Sequence, residues 1–426
     1  MKRRQEREKL HRQTSRQDRR RGYRLCASVL ALGIGAGCGA PPTADNIEPV
    51  ATGGAYQAQY RAIEVKRDDY PYLRSAAINA EKCRPYAGDA GDGTGQGKLG
   101  RPVPRALLGE LLTRGDLLDL RLPEDETFSG DYVISRDGTL KVPFLNPIPA
   151  QGRRTVDVAD DLRRALARSG YYAEEPVLSL LVRDFAPVRV AVSGAVFEER
   201  TMDIGGVRGD EVDAGRQAAL GDSTEGRNLS EAIRSAGGIR PDADLSAVQL
   251  TRAGTNYTLD LRGALEGRSF EDVMLVAGDE IFVPSRLCFQ DELMKPSAIS
   301  PPGISLYLSN LTQPATGNAP SAVGQTVREV PYGTRYMQAV VDTNCVGGAR
   351  VSSAARSAAL FSRNPMTKVS VVIEREIEVM RERADRDDYD PYLLPGDALA
   401  CYDSGVTNLT EVLRIIGLVG AVALID

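Results

Sequence analysis

The chain has 426 residues, 42% hydrophobic and 26% charged, enough for several hydrophobic cores and a division into two to four folded domains. Its only histidine is His11, so the body of the chain is closed to Ser-His-Asp and Cys-His catalysis and to imidazole-based zinc sites. Residues 1–37 hold 11 of the 53 Lys and Arg and 3 of the 58 Asp and Glu, which leaves a net charge of −13 on residues 38–426. That balance argues against non-specific nucleic-acid binding, and the lack of Trp argues against a carbohydrate cleft built on indole rings.

Residues 1–24 are dense in Arg, and residues 25–37 (LCASVLALGIGAG) are apolar and small, the order of a secretory signal. This apolar run is shorter than the roughly 20 residues that a spanning helix needs. Gly35-Ala36-Gly37 before Cys38 resembles the processing site of bacterial lipoproteins, in which the cysteine becomes the lipidated first residue. The alternative is an ordinary signal cleaved nearby, with Cys38 an unmodified thiol. Beyond it, Cys83, Cys288, Cys345 and Cys401 permit two disulfides in three connectivities. Cys345 and Cys401 fall in one candidate domain and are the first choice for a bridge, against four small buried thiols.

Residues 39–60 read as a Gly- and Pro-rich tether, within an N-terminal segment 38–106. The Gly-rich stretch 88–100 reads as a linker. It is no phosphate loop, because Leu99 follows Gly97-Lys98 and Asp92 stands where the first Gly belongs. A first patterned region, 107–192, begins with strands 132–135 and 139–142 around Asp137-Gly138, a type I′ hairpin signal. Thr155 then caps a helix with Val158, Leu162, Ala165 and Leu166 on one face and Gly170 as its stop. Strands at 177–182 and 188–192 complete an α+β unit.

A second region, 193–286, holds a capping box of Asn228 and Glu231, an apolar face of Leu229, Ala232, Ile233 and Ala236, and a Gly237-Gly238 stop. Short strands follow at 247–251 and 257–261, and residues 205–226 read as a polar insertion. The closing phrase, apolar residues around Gly-Asp, occurs at Gly115-Asp116, Gly278-Asp279 and Gly396-Asp397. Residues 232–238 (AIRSAGG) are echoed by 339–348 (AVVDTNCVGG), so the third region, 302–404, reads as a diverged copy of the second. Gly-Asp before an apolar strand is a turn signature, and its threefold recurrence favours structure over a catalytic Asp. Glu124-Asp125-Glu126, the nearest thing to a carboxylate pair, reads as a solvated loop. No catalytic residue, metal site or cofactor is expected. Residues 408–426 (NLTEVLRIIGLVGAVALID) open on a capping box and become almost wholly apolar. As a helix they extend about 28 Å, buried in a membrane, between subunits or on their own domain.

The leader with Cys38, the stretches LLTRGDLLDLRL, YVISRDGTLKVPFL, VDVADDLRRAL and VLSLLVRDF, then VAVSGAVFE, NLSEAIRSAGGI and VMLVAGDEIFVPS together resemble the outer-membrane polysaccharide export lipoproteins of Gram-negative bacteria. The resemblance implies an α+β polysaccharide-export domain followed by two β-grasp domains of the soluble-ligand-binding type and a C-terminal helix. It implies an outer-membrane lipoprotein lying mostly in the periplasm. Such a chain forms a ring, commonly of eight subunits, that passes capsular or exopolysaccharide outward, coupled to an inner-membrane co-polymerase or tyrosine kinase. In the family the C-terminal helix builds the outer-membrane pore. Residues 408–426 are short and only weakly amphipathic for that task, so a separate outer-membrane barrel is a further expected partner, alongside membrane lipid. The competing reading is a monomeric periplasmic ligand-binding lipoprotein with a discrete pocket.

Overall fold

A computed structural model describes residues 56–61, 74–89, 103–123, 125–205, 225–268, 270–310, 326–343, 345, 356–383 and 385–403. The leader, Cys38, residues 206–224 of the expected insertion and the apolar segment 408–426 lie outside the described residues. Three hydrophobic cores follow one another along the chain, each with its own sheet.

The N-terminal segment contributes a 3-10 turn at Ala58–Tyr60 and helix α1 (Arg74–Glu81). Residues 56–60, expected in a tether, are instead buried. Tyr56 donates to Asp242 at 2.9 Å and stacks edge-on against Phe289, while Gln57 donates to the Tyr392 carbonyl. Two tyrosines and two glutamines with partners in later regions make this stretch part of the packed body, which its Gly- and Ala-rich surroundings conceal.

The first unit comprises β1 (Leu117–Leu122), β2 (Asp125–Val133), β3 (Thr139–Leu140), β4 (Ile148–Pro149), α2 (Thr155–Arg168) and β5 (Ser179–Asp184). Strand β1 lies between β2 and β5, antiparallel to both, and sends Leu118 and Leu120 into a core closed by Val158, Leu162 and Leu166 of α2. Arg154, not Thr155, is the N-cap, a one-residue difference at a helix end. The Asp137-Gly138 hairpin does not form: β2 pairs with β1, and β3 pairs with β4. Of the two turn residues only Gly138 has positive φ, because the Asp137 carboxylate accepts from Thr139 N and Oγ1 and fixes a different turn.

The second unit comprises β6 (Val188–Gly194), β7 (Arg200–Ile204), α3 (Leu229–Ser235), β8 (Val248–Arg252), β9 (Thr255–Leu259), α4 (Gly263–Glu266) and β10 (Glu280–Val283). The sheet order is β7-β6-β10-β8-β9, with β6 and β10 parallel. Strand β6 therefore belongs here and not to the first region, where the boundary at 192 had placed it. Its alternation of Val188, Val190 and Val192 feeds the second core. A hairpin of the type I′ kind does occur, at Ala253 and Gly254 between β8 and β9, where both residues have positive φ.

The third unit comprises β11 (Ile304–Asn310), β12 (Thr326–Val330), α5 (Tyr336–Asp342), β13 (Arg356–Arg363), β14 (Ser370–Glu376), α6 (Ile377–Glu382), α7 (Arg386–Tyr389) and β15 (Ala398–Asp403). Its order, β12-β11-β15-β13-β14, repeats the second sheet strand for strand, including the parallel central pair. The fold is α+β throughout. Two disulfides staple it: Cys345 to Cys401 within the third unit, and Cys83, just after α1, to Cys288, just after the second unit. Replacing both Cys345 and Cys401 by Ser should lower the stability of the third unit by about 2–4 kcal/mol, read as a shift of its urea midpoint.

Candidate functional site

The three Gly-Asp pairs adopt one geometry. Gly115, Gly278 and Gly396 have φ of +94°, +91° and +88°. The aspartate that follows accepts, through Oδ2, the N–H three residues earlier: Thr113 to Asp116 at 2.7 Å, Val276 to Asp279 at 2.9 Å and Leu394 to Asp397 at 2.9 Å. Each aspartate also donates its own N–H to the carbonyl of that same residue. The sequence expectation of a structural turn at these six residues thus coincides with a closed local ring of two hydrogen bonds.

The turn does more than reverse the chain. The residue preceding the ring donates to the stretch that leads into the unit's helix: Leu112 to the Arg153 carbonyl, Leu275 to Arg227 and Leu393 to Thr334, at 2.9, 2.8 and 3.0 Å. Isolated bridges repeat beside them, Leu111 with Arg154, Met274 with Asn228 and Tyr392 with Arg335. In the first unit the turn precedes its helix in the chain, and in the other two it follows, yet the module is the same. The Asn228 cap and Glu231 do not form the expected box: Glu231 pairs with Arg234, and the Asp272 carboxylate takes the Ser230 N–H at 3.0 Å. A carboxylate from a distant loop does the capping because it sits at the positive end of the helix.

What neutralises the aspartates differs. Asp116 receives Arg227 Nη1 at 2.8 Å and Ala186 N at 2.9 Å. Arg227 is itself fully buried, donates to the Leu111 and Leu275 carbonyls, and lies over the Phe185 ring, so it pins the first unit to the second. Asp279 receives Arg252 through Nε and Nη2. In the third unit the register places Ser362 opposite Asp397, where Arg252 stands opposite Asp279. The partners of Asp397 are the Leu394 N–H and the Ser362 hydroxyl, which also bonds Tyr60 at 2.9 Å. Burial pushes the Asp116 carboxyl above its usual value, and Arg227 pulls it back. Burial pushes Asp397 up to about 7, since only these two hydrogen bonds oppose it. Asp390, which accepts the Met337 N–H, rises to about 6 for the same reason. Arg227, Arg252, Ser362 and Asp272 carry no motif, and the repeat alone hints at them.

Two surfaces face outward with distinct chemistry. In the first unit Phe144 is 74% and Tyr171 56% exposed, with ring centroids 6.2 Å apart, and Tyr171 leans edge-on against the buried Phe128. Phe144 has φ +63°, a costly conformation for a bulky residue. In the second unit the outer face of the sheet carries a row of Thr201, Ala191, Glu280, Thr251 and Asn256, short and mostly uncharged. Asp125, from the acidic triplet, accepts the Tyr172 hydroxyl. Among the described residues no group of His, Cys, Asp or Glu is placed to hold a metal ion, and no helix is long and apolar enough to cross a membrane.

Residues 109–183 match the family of polysaccharide biosynthesis/export proteins, and residues 216–283 match the SLBB domain. The EPS I polysaccharide export outer membrane proteins EpsA of Ralstonia nicotianae and of Ralstonia solanacearum are each 27% identical to this chain over 195 residues, which is 44% of this chain and 46% of each relative. The chain therefore spans less than half the length of the curated relatives it matches.

Two outcomes follow from the turns. Alanine at Gly115 would place a Cβ 2.9 Å from the Ala186 side chain, whereas at Gly278 and Gly396 it meets nothing within 4 Å. All three should destabilise by about 1–2 kcal/mol through backbone strain, with Gly115→Ala the worst by urea denaturation. Asp397 holds in the folded state a proton that the unfolded chain releases near its ordinary 3.8. Stability should accordingly fall as pH rises from about 4 to 7, by at most about 1.4 kcal/mol per pH unit, and level off above. Asp390 adds a smaller decline over the lower part of that window. Asp397→Asn keeps an acceptor for the Leu394 N–H, and its unfolding midpoint should lose that part of the pH dependence.

Proposed function

We propose that the chain is a polysaccharide export protein and a subunit of the conduit that carries a capsular or exopolysaccharide across the periplasm to the outside of the outer membrane, a reading supported by its match to the export family over residues 109–183. The observation that carries the proposal is an export unit continuous with an SLBB-type unit and locked to it by the buried Arg227–Asp116 pair. A second copy of the same sheet follows. On this reading residues of the first unit form the polysaccharide-export domain, the second and third units are β-grasp domains, and Cys38 is the lipidated anchor at the outer membrane.

Assembly completes the proposal. Copies of the chain form a ring, with eight subunits the working number, enclosing a wet lumen and coupled at its inner end to a membrane-embedded co-polymerase or tyrosine kinase. The work is passage, and no residue is assigned to catalysis. A polymer moves through only where contacts are weak enough to release. The short hydroxyl and amide side chains on the outer face of the second sheet suit that requirement. Phe144 and Tyr171 offer apolar ring faces on which a sugar ring can rest briefly.

Deleting the gene should abolish surface polysaccharide while polymer accumulates in the periplasm or its synthesis stalls, measured by fractionating cell-associated and released polymer. Complementation with Phe144→Ala should restore the protein but export several-fold less. Surface polymer unchanged by the deletion, in a strain with no second exporter, would overturn the proposal in favour of a monomeric ligand-binding lipoprotein.

A further inference from the structure

The second and third sheets share one strand order, so their outer faces can be compared position by position. In the second, Phe282 on β10 is 45% exposed, paired with Ser193 of β6 on one side and Gln249 of β8 on the other. Thr258 of β9 lies beyond Gln249, and the neighbouring row sets Glu280 between Ala191 and Thr251, with Asn256 beyond. Paired positions share a face, so one exposed aromatic ring is surrounded by two amides, three hydroxyls and a carboxylate. In the third sheet Ala398, Ala400 and Ala359 take the places of Glu280, Phe282 and Gln249. The same fold is built there without this cluster, so the fold does not require it in the second sheet.

The chemistry of the cluster narrows its ligand. Gln249, Thr258 and Glu280 make no side-chain hydrogen bond among the described residues. The Thr251 hydroxyl donates to the Asn256 side-chain oxygen, which leaves the N–H donors of that amide unused. Gly194 gives the ring room against the sheet, since a Cβ there would stand 3.1 Å from a Phe282 ring carbon. At one end of the face Arg189 is held by Asp203 through Nε and Nη2, so it does not neutralise Glu280. An apolar ring with donors and acceptors around it suits a pyranose, whose C–H face rests on an aromatic ring and whose hydroxyls both donate and accept. The unpaired carboxylate can accept from such hydroxyls and repels an acidic sugar. Three strand spacings separate Ser193 from Thr258 by about 14 Å, longer than a single sugar ring.

We propose that the outer face of the second sheet, centred on Phe282, is a binding subsite for an uncharged pyranose unit of the polymer, with Glu280 and Gln249 taking its hydroxyls. The proposal rests on the export reading for the source of the sugar, and the two fail separately. Export lost on deletion of the gene, with no sugar bound at Phe282, would sink the subsite alone. Surface polymer unchanged by the deletion would sink the export reading, whatever binds at Phe282.

The lack of Trp in the chain supplies the reporter. Phe282→Trp keeps a stacking ring and introduces a single indole, and Ala400→Trp puts the same indole at the matching position of the third sheet. The titrant is the producing cell's own surface polysaccharide, cut to short oligosaccharides by partial acid hydrolysis and separated by charge. Added to the purified full chain, uncharged fragments should shift the emission of Phe282→Trp saturably at millimolar concentration and leave that of Ala400→Trp unchanged. In the Phe282→Trp background, Glu280→Ala and Gln249→Ala should each weaken the response about three- to tenfold, and Glu280→Gln should bring the response to acidic fragments up toward that of uncharged ones. Without any reporter, saturation transfer from the wild-type chain to the uncharged fragments should fall by at least half in Phe282→Ala, with the urea midpoint showing that each variant is folded. Saturation transfer that is absent in the wild type or undiminished in Phe282→Ala would overturn the proposal. So would an equal shift in Ala400→Trp, tighter binding of acidic fragments, or a polymer that yields no uncharged fragment. An emission shift that follows protein concentration and not added sugar would equally overturn it, by assigning the face to a second copy.

Discussion

A buried aspartate at the end of a positive-φ glycine is the constraint on which the rest of the molecule is hung. A carboxylate taken out of water must be met by donors, and each of the three finds its first donor in its own turn, three residues back. That ring fixes the direction in which the next strand starts, and the strand that follows it is the middle one of its sheet in every unit. The residues just ahead of the ring reach the lead-in to the helix, so strand and helix are oriented together. Once this corner is set, the alternation of Val and Leu along the strands decides which face is wet.

The second donor then decides how the units relate to one another. Arg227 reaches from the second unit into the first and satisfies Asp116 there, which turns a local turn into a joint between domains. Arg252 keeps the same service within the second unit. The third unit relies on a hydroxyl, Ser362, and through it on Tyr60 from the N-terminal segment. The architecture of three linked units is thus written in where the partner of one kind of carboxylate comes from.

Much of this was legible in the sequence because it depends on local spacing. The α2 helix followed from Val158, Leu162 and Leu166, the Gly-Asp turns from their recurrence, and the third unit from the echo of 232–238 in 339–348. What was not legible depends on partners far along the chain. Asp137-Gly138 carried a hairpin signal, but the edge of β2 was taken by β1, whose leucines fill the core. Strand β6 looks like the end of the first region, and only pairing with β10, some ninety residues on, places it in the second. Residues 56–60 read as tether because Tyr56 and Gln57 find their acceptors, Asp242 and Tyr392, nearly the whole body away. Arg227 and Arg252 look like any surface arginine until the sheet brings them against an aspartate.

The two disulfides differ in what they ask of the folding chain. Cys345 lies nearly as far from Cys288 as from Cys401 along the backbone, so loop-closure entropy hardly distinguishes the right partner from the wrong one. Cys83 and Cys288, by contrast, stand 205 residues apart, and in between lie both the first and second units. Chain statistics alone would rank the correct long bridge below a mistaken short one. The native pairing is therefore an outcome of folding and not its guide: α1 must already be seated beside the end of the second unit before oxidation makes that arrangement permanent. The staple works as a latch on a finished assembly, and a cell that oxidised this protein too early would trap it with its first segment in the wrong place.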